Sequence, residues 1–249
     1  MTAQGILKEL KSIGTEQNRK VYARHGAQEP MFGVSFANLS ALAKKIKKDH
    51  VLARELWASG NHDARILATM IADPQQADDK LLDTWATHLN SYVVTDAFSK
   101  FVAQTPLARR KADQWKDSDS DFLGQAGWIL VGCLAAGDGS GLDDYFRGCL
   151  KTIETQIHGR KNRTRHAMNM ALISIGLYND SLRPAALAAA GRIGTVHVDH
   201  GQTGCRTPDA AEYIKRAASR QAGSVAARKS ESRAPAKPSK PKAAVRTRR

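Results

Sequence analysis

The sequence has few cysteines and no long hydrophobic run. Its three cysteines, Cys133, Cys149 and Cys205, are odd in number and widely spaced among 249 residues, which argues against a disulfide framework and favours a reducing compartment. The longest apolar run, Ala126 to Gly137, is broken by glycine and is shorter than the roughly 20 residues that cross a bilayer. The first residues, Met-Thr-Ala-Gln-Gly, lack the charged-then-apolar pattern of a signal peptide. We therefore expect a cytoplasmic protein with no membrane partner.

Motifs of several enzyme classes are also missing. There is no Gly-x-x-x-x-Gly-Lys-Ser/Thr loop for nucleotide hydrolysis and no strand-associated Gly-x-Gly-x-x-Gly for dinucleotide redox chemistry. A His-Glu-x-x-His zinc-protease motif and a serine-centred nucleophile elbow are absent as well. Alternation of apolar and polar residues is almost absent, and Val196-His-Val198 is too short to predict a strand.

Positive charge is in excess and is concentrated at the C-terminus. The chain carries 38 Lys and Arg against 24 Asp and Glu, a net charge of +14. Residues 219–249 hold ten of these cations and one acid, and they contain no Leu, Ile, Phe, Trp or Tyr. Such a segment cannot bury enough apolar surface to offset the entropy of ordering, so we predict a disordered tail. It is either a solvated linker or a tether to a polyphosphate whose binding weakens with salt.

Apolar residues recur at helical spacing through the rest of the chain. Ser35 is predicted to cap a helix that places Phe36, Leu39, Ala43 and Ile46 on one face. Further helical patterns cover Val51–Ala58, Ala64–Ile71, Asp79–Leu89, Val93–Gln104, Leu107–Trp115, Asp121–Ala136, Gly141–Ile157, Arg163–Leu177 and Leu182–Ile193.

The last helix is predicted to have Thr207 as its cap and Pro208 at its first position, and to fade near Ala218. Roughly ten to twelve helices with short connections predict an all-α fold, either a superhelix of stacked antiparallel helix pairs or an irregular bundle. We assign residues 1–218 to this helical-repeat domain and residues 219–249 to the tail.

Asp96 is the carboxylate of greatest interest. It lies among apolar residues in Tyr92-Val-Val-Thr-Asp-Ala-Phe98, and the spacing of four puts Tyr92 and Asp96 on one face of a helix. A buried acid is costly without partners or a function. It is either a structural carboxylate, capping a helix or paired with a cation, or an anion that stabilises a cationic centre beside an aromatic ring.

Three basic clusters indicate a nucleic acid partner. They are Lys44, Lys45, Lys47 and Lys48; Arg109-Arg110-Lys111; and Arg160-Lys161 with Arg163 and Arg165. Each cluster alone is typical of a solvated helix face, but in a curved array of helices they could follow a phosphate backbone. No helix-turn-helix or finger pattern indicates sequence specificity. A helical scaffold for a protein partner is the other class that stays open.

The segment before the last helix contains the ligand types that zinc accepts. These are His197, Asp199, His200 and Cys205, with Asp209 beyond them. Their spacing matches no common zinc module. The alternative, which we favour, is a turn packed on the last helix, with no metal and with His200 and Cys205 bonded to backbone groups.

Several stretches near the N-terminus resemble a known family. Tyr22-Ala-Arg-His-Gly-Ala-Gln-Glu-Pro-Met-Phe-Gly-Val-Ser-Phe36, Leu39-Ser-Ala-Leu-Ala-Lys-Lys-Ile-Lys-Lys48, Glu55-Leu-Trp57 and His62-Asp-Ala-Arg-Ile-Leu-Ala68 are similar to the DNA-alkylation-repair family of AlkD type. The similarity extends to about Ala218. It implies a superhelix of HEAT-like helical pairs whose basic concave surface holds double-stranded DNA.

Active members of this family are glycosylases that remove cationic N3- or N7-alkylated purines, without a closed base-flipping pocket. The resemblance implies hydrolysis of the N-glycosidic bond without metal or cofactor, helped by an Asp that stabilises the developing sugar cation. The family's aromatic-x-x-x-Asp pattern matches Tyr92 and Asp96, with Tyr in place of Trp.

Two positions depart from the family pattern. The family's Arg in the middle helix falls at Gln125 and its second Trp falls at Met170, although an alignment shifted by one turn would bring Trp128 or Arg165 there. Members that lack these residues are expected to bind DNA structures without excising a base.

We therefore expect an alkylpurine DNA glycosylase with Asp96 as the catalytic residue. The alternative is a non-catalytic protein that recognises damaged, bent or branched DNA. Contacts to DNA are expected from Tyr92, Gln125, Met170, Lys44, Lys45, Arg163, Arg165 and His166. The protein is expected to be a monomer in the cytoplasm, associated with the nucleoid.

Overall fold

The computed structural model describes residues 1–137 and 139–220, and all regular structure within them is helical. The helices are α1 (Ala3–Ile13), α2 (Glu16–Arg24), α3 (Phe36–Ile46), α4 (His50–Ala58), α5 (His62–Ile71), α6 (Asp79–Ala86), α7 (Tyr92–Val102), α8 (Ala108–Trp115), α9 (Asp121–Ala136), α10 (Asp143–Gln156), α11 (Asn162–Tyr178), α12 (Arg183–Ile193) and α13 (210–220). Single 3₁₀ turns follow α5 and α10. The all-α prediction is confirmed.

Side-chain caps begin many of these helices. Ser35 Oγ accepts the backbone N–H of Asn38 at 3.2 Å, as the sequence predicts. Helices α1 and α2, which the sequence pattern did not identify, begin in the same way at Thr2 and Thr15.

The last helix begins later than predicted. Helix α13 begins at residue 210, and Asp209 Oδ1 accepts the backbone N–H of Glu212 at 2.8 Å. The predicted cap at Thr207 is wrong because the Thr207 hydroxyl is bonded to His200 instead, at 2.9 Å.

The helices pack in two alternating rows. Helices α3, α5, α7, α9 and α11 pack on one another in chain order, while α4 lies on α5, α8 on α9, and α12 on both α10 and α11. A stack of antiparallel helix pairs produces this alternation. Large apolar side chains, including Trp57, Phe98, Trp128 and Phe146, are fully buried between the rows.

Close packing of α9 on α11 sets the position of the site described below. A Cβ added at Gly124 would lie 2.5 Å from Thr164 Oγ1, so only glycine allows the two helices to approach this closely. The Asp121 carboxylate accepts the backbone N–H groups of Arg163 and Thr164 at 2.9 and 2.8 Å. An anion at a helix N-terminus is favourable, so Asp121 fixes the beginning of α11.

The chain divides into two units, Met1–Ile214 and Lys215–Arg249. Most of the predicted tail, residues 221–249, lies outside the described residues. Within the described part of the chain, no helix has both the length and the apolar character that a membrane span requires.

Candidate nucleic-acid site

A cavity of about 430 Å³ lies between α7, α9 and α11. These helices contribute residues at helical spacing: Tyr92, Asp96 and Lys100 from α7, Gln125 and Ile129 from α9, and Arg163, His166, Ala167 and Met170 from α11. His25, which follows α2, and a segment between α12 and α13 complete the wall. We name this segment, residues 195–209, the strap. The strap contributes His200, Thr203, Cys205 and Arg206.

Among the described residues, one side chain donates a hydrogen bond to Asp96 in this cavity. Gln125, which is only 3% exposed, donates from Nε2 to Asp96 Oδ1 at 2.8 Å and to the carbonyl oxygen of Tyr92 at 3.3 Å. Burial raises the pKa of Asp96, and the Gln125 hydrogen bond and the charges of Lys100 and Arg163 act in the opposite direction. Asp96 neither caps a helix nor forms an ion pair within residues 1–137 and 139–220.

Tyr92 is held between two other residues of the wall. His25 Nδ1 and the Tyr92 hydroxyl are 2.6 Å apart, and the Arg163 guanidinium lies 4.2 Å from the centre of the Tyr92 ring. Burial raises the pKa of the Tyr92 hydroxyl. The aromatic ring beside Asp96 therefore has a fixed orientation.

His166 brings an uncharged imidazole to the same wall. Its ring meets the His200 ring edge to face, with 5.5 Å between centroids. Burial, with smaller contributions from the charges of His200 and Arg163, lowers the pKa of His166 to about 4. The imidazole is therefore neutral at physiological pH.

The strap is fastened to one face of α11. Three side chains bind its backbone: Asn162 binds Asp199 in both directions (2.7 and 2.8 Å), Arg165 donates to the carbonyl oxygen of His197 (2.8 Å), and Asn169 donates to that of Pro208 (3.0 Å). Positions 162, 165 and 169 share a face because an α-helix turns about once every 3.6 residues.

The structure brings together most of the residues singled out from the sequence. Tyr92, Asp96, Gln125, Arg163, His166 and Met170 all line the cavity. Trp128 is fully buried in the core and Arg165 binds the strap, and neither side chain lines the cavity. Lys44 and Lys45 are exposed on α3, away from the cavity, and Lys45 pairs with Glu9 at 3.5 Å.

The basic cluster on α8 is engaged in packing, contrary to the expectation of a phosphate-binding surface. Lys111 is completely buried and its Nζ lies 2.9 Å from Asp79 and 2.6 Å from Asp83. Arg109 pairs with Asp113, and Arg110 also pairs with Asp79. All three cations are compensated by carboxylates, and Arg110 and Lys111 stabilise the contact between α8 and α6.

The residues weighed as zinc ligands have other contacts. His200 bonds to Thr207, and the backbone of Asp199 bonds to Asn162. Within residues 1–137 and 139–220, no group of three or more His, Cys, Asp or Glu side chains is arranged to hold a metal ion.

Sequence reasoning missed several residues of the wall. His25, Lys100, Thr203 and Arg206 were not expected in the site, and His200 and Cys205 were considered only as metal ligands or as parts of a turn packed on the last helix. Nothing local in the sequence indicates that His25 meets Tyr92, 67 positions later. The length of the strap is the one available signal, because long connections without helix or strand are usually functional.

Comparison with known proteins identifies relatives that are similar to this chain over most of its length. An uncharacterised protein of Listeria innocua, Lin0241, is 27% identical over 222 residues, covering 85% of this chain and 95% of that protein. An uncharacterised protein of Listeria monocytogenes, Lmo0209, is 28% identical over 218 residues, with the same coverage. One solved structure is similar with a TM-score of 0.82 and 29% identity, covering 89% of this chain and 95% of that one. It is described as representing a new family of proteins related to the HEAT-like repeat DNA glycosylases, with affinity for branched DNA structures.

A family model described as DNA alkylation repair enzyme matches residues 6–214, which is nearly the whole of the first unit. The fold similarity shows that the stack of helix pairs is of the HEAT-like type. The chain therefore belongs to the DNA alkylation repair enzyme family.

Proposed function

We propose that this protein is a DNA glycosylase that uses Asp96 to hydrolyse the N-glycosidic bond of cationic N3- or N7-alkylated purines in double-stranded DNA. The main support is the environment of Asp96, a carboxylate on a cavity wall beside an aromatic ring, with one amide donor. A structural carboxylate usually has its lone pairs occupied by cations or by several donors. Asp96 keeps acceptor capacity for a reacting group.

In the proposed reaction, the bond between C1′ of the deoxyribose and N9 of the purine breaks. Its electron pair neutralises the cationic base, which leaves, and positive charge develops on the sugar. The Asp96 carboxylate stabilises this charge and orients a water molecule that adds to C1′. The water gives its proton to the carboxylate, which then releases it to solvent. The alkylated base is already a good leaving group, so this step needs no metal or cofactor.

We assign DNA contacts to cations outside the α8 cluster. Arg163 lies on the cavity wall without a carboxylate partner among the described residues, and Lys44 is exposed on α3. Phosphate contacts of this kind release counterions, so the affinity for duplex DNA is expected to fall steeply with salt.

Recognition of damaged, bent or branched DNA without excision is the second candidate, and Gln125 favours it. The amide at this position, where the family has Arg, is buried and occupies one lone pair of Asp96. Met170 also replaces an aromatic side chain. The affinity of the similar solved protein for branched DNA supports the same alternative.

Time-dependent release of 7-methylguanine from a duplex with a single modified base tests the proposal. Asp96→Asn is expected to slow release by about 100-fold or more, the cost of losing one electrostatic group aimed at transition-state charge. Duplex affinity should be nearly unchanged. Asp144→Asn, which changes a fully exposed carboxylate on α10, is the matched control and should release base at the wild-type rate.

Release that survives Asp96→Asn would disprove the catalytic assignment. No release by the wild-type protein, together with tight binding of a four-way junction, would establish the second candidate instead.

A further inference from the structure

We propose that the turn between α3 and α4 is a second DNA-contact surface, where Lys47 binds a backbone phosphate of the duplex to one side of the cavity. This inference goes beyond the proposed function, because it places a contact two helices away from Asp96. It rests on the proposed function only for the position of that phosphate relative to the modified base.

Lys47 has a backbone conformation that lysine rarely adopts. Its φ of 66° and ψ of −146° lie close to a region that is essentially restricted to glycine. Among residues 1–137 and 139–220, every other residue with a positive φ is a glycine. A side chain in this conformation costs stability, and strained residues of this kind cluster at functional sites.

The end of α12 shows which residue this conformation favours. Gly194 ends α12 with a φ of 67° and a ψ of −144°, and its backbone N–H donates to the carbonyl oxygen of Ala190 at 3.0 Å. The backbone N–H of Lys47 donates in the same way to Ala43, at 2.8 Å. The two helices therefore end with the same geometry, and this geometry itself does not require a lysine.

The turn that contains Lys47 is fixed to the end of α5. Lys48 donates from Nζ to the carbonyl oxygen of Ala72 at 2.8 Å, and the backbone N–H of Asp49 donates to that of Ile71 at 2.9 Å. These contacts hold both residues that follow Lys47. The turn therefore cannot easily move to relieve the strain, and it presents the Lys47 side chain from a fixed position.

The charge of Lys47 is available to an anion outside the protein. Its side chain is exposed and has no hydrogen-bond or ion-pair partner within the described part of the chain. A cation near the end of a helix can also stabilise the helix dipole, but Lys44 and Lys45 already place positive charge in the last turn of α3. A phosphate of DNA is the anion that the family membership of this chain favours.

Two lysines of α1 extend the positive surface beside this turn. The ion pair between Glu9 and Lys45, at 3.5 Å, holds α1 next to α3. Lys8 and Lys11 are exposed on α1, and neither side chain has a partner among residues 1–137 and 139–220. This surface differs from the basic cluster on α8, whose cations are paired with carboxylates.

The position of α3 in the stack connects Lys47 to the cavity. Helices α3, α5 and α7 pack in order in one row, and α7 carries Asp96. Packed helices lie about 8–10 Å apart, so two steps along the row span about 16–20 Å. Phosphates of one strand rise about 3.4 Å per base pair, so this distance corresponds to about five or six base pairs. A duplex that lies along the row therefore reaches Asp96 and Lys47 together.

Replacement of Lys47 by glycine should affect stability and binding in opposite directions. Lys47→Gly relieves the backbone strain and is expected to raise Tm by about 2–4 °C. The affinity for an unmodified duplex should fall about threefold to tenfold, because one phosphate contact is lost. The slope of log affinity against log salt concentration should decrease by about 0.9. Thermal unfolding and fluorescence anisotropy with a labelled duplex measure these changes.

Further variants separate the charge from the backbone. Lys47→Ala removes the charge but keeps the strain, so it should lose the same affinity without the gain in Tm, whereas Lys47→Arg should keep the affinity. Lys151→Ala, which removes an exposed cation from α10, is the matched control and should bind DNA like the parent. Gly194→Ala should lower Tm, which measures the cost of a side chain in this conformation.

A double-mutant cycle between protein and DNA locates the phosphate. The probe is a duplex with one 7-methylguanine and one uncharged methylphosphonate, moved along the strand and bound to the Asp96→Asn protein so that no base is released. A methylphosphonate about five or six base pairs from the modified base should weaken binding. The same replacement should have no further effect when Lys47→Ala is also present.

The outcomes separate this inference from the proposed function. Unchanged affinity and salt dependence in Lys47→Gly and Lys47→Ala would overturn the contact, and a lower Tm in Lys47→Gly would show that the fold itself uses the lysine. A coupled phosphate next to the modified base, or none, would overturn the placement along the row. Loss of affinity in the Lys47 variants, with no base release by the wild-type protein, would support the contact and overturn the glycosylase.

Discussion

Two aspartates of this protein are shielded from solvent, one completely and one in part, and they differ in the partners of their carboxylates. Asp63, in the first turn of α5, is completely buried, and its carboxylate accepts the backbone N–H groups of Phe32, Gly33 and Val34 at 2.6, 3.1 and 2.9 Å. Asp96, in α7, accepts one amide hydrogen from Gln125 and faces a cavity.

The two carboxylates differ in how many of their lone pairs accept hydrogen bonds from the protein itself. Three backbone donors saturate Asp63, so its charge serves to hold the loop before α3 against α5. Within residues 1–137 and 139–220, Asp96 has a single neutral donor, and burial raises its pKa. A buried carboxylate is structural when the fold supplies its partners, and it is available for chemistry when the fold does not.

The largest expected effect comes from removing the charge of Asp63. Asp63→Asn leaves one acceptor oxygen and turns an NH₂ group toward backbone donors, so we expect a loss of about 3 kcal/mol in the free energy of unfolding. For a chain of this size, that corresponds to a fall of roughly 6–12 °C in Tm. Thermal unfolding followed by circular dichroism measures this fall in Tm. An unchanged Tm would mean that Asp63 does not stabilise the fold, and the proposed difference between Asp63 and Asp96 would be wrong.

The corresponding substitution, Asp96→Asn, is expected to raise the free energy of unfolding instead of lowering it. Because the folded-state pKa of Asp96 is raised above its ordinary value of 3.8, the ionised carboxylate destabilises the fold at neutral pH. Asp96→Asn should therefore raise Tm at pH 7, by less than Asp63→Asn lowers it.

This gain depends on pH, which provides the check. The cost of ionising Asp96 develops as pH rises from its ordinary pKa through its raised pKa, so the Tm difference should shrink as pH falls toward about 4. A difference that stays constant from about pH 4 to pH 8 would mean that the substitution acts through packing and not through charge.

A smaller effect should follow from removing the hydrogen bond that Gln125 donates to Asp96. The Gln125 hydrogen bond lowers the pKa of Asp96, so Gln125→Met should raise that pKa further. If excision requires the ionised carboxylate, the acid limb of the pH–rate profile should move toward neutral pH. Ser99→Ala, a buried change on α7 outside the cavity, should leave the limb in place, and an equal shift in both variants would exclude a specific role for Gln125.

Most of the fold could be predicted because helix formation is encoded locally. The apolar spacing predicted α9 with the bounds it has, Asp121–Ala136. The beginning of the last helix could not be predicted in the same way, since Thr207 and Asp209 are both good caps. The choice between them depends on His200, which binds the Thr207 hydroxyl.

The site was predictable only where its residues lie on one helix or follow the family pattern. The spacing of Tyr92 and Asp96 within a single helix indicated a shared face, and both line the cavity. His25 and the strap reach the cavity through contacts between distant parts of the chain. Charge clusters were the least reliable signal, because the sequence does not show that Lys111 is buried against Asp79 and Asp83.

The contact between the strap and the end of α2 has a consequence for how the protein folds. In an open repeat array each unit touches only its neighbours, so the terminal units can unfold independently and folding can begin anywhere. Here residues near 24 and 201 touch, which closes a long loop at an entropic cost and raises the mean sequence separation of contacts. The end of α2 and the strap therefore stabilise each other, and amide hydrogens in these two segments should exchange together as one cooperative unit.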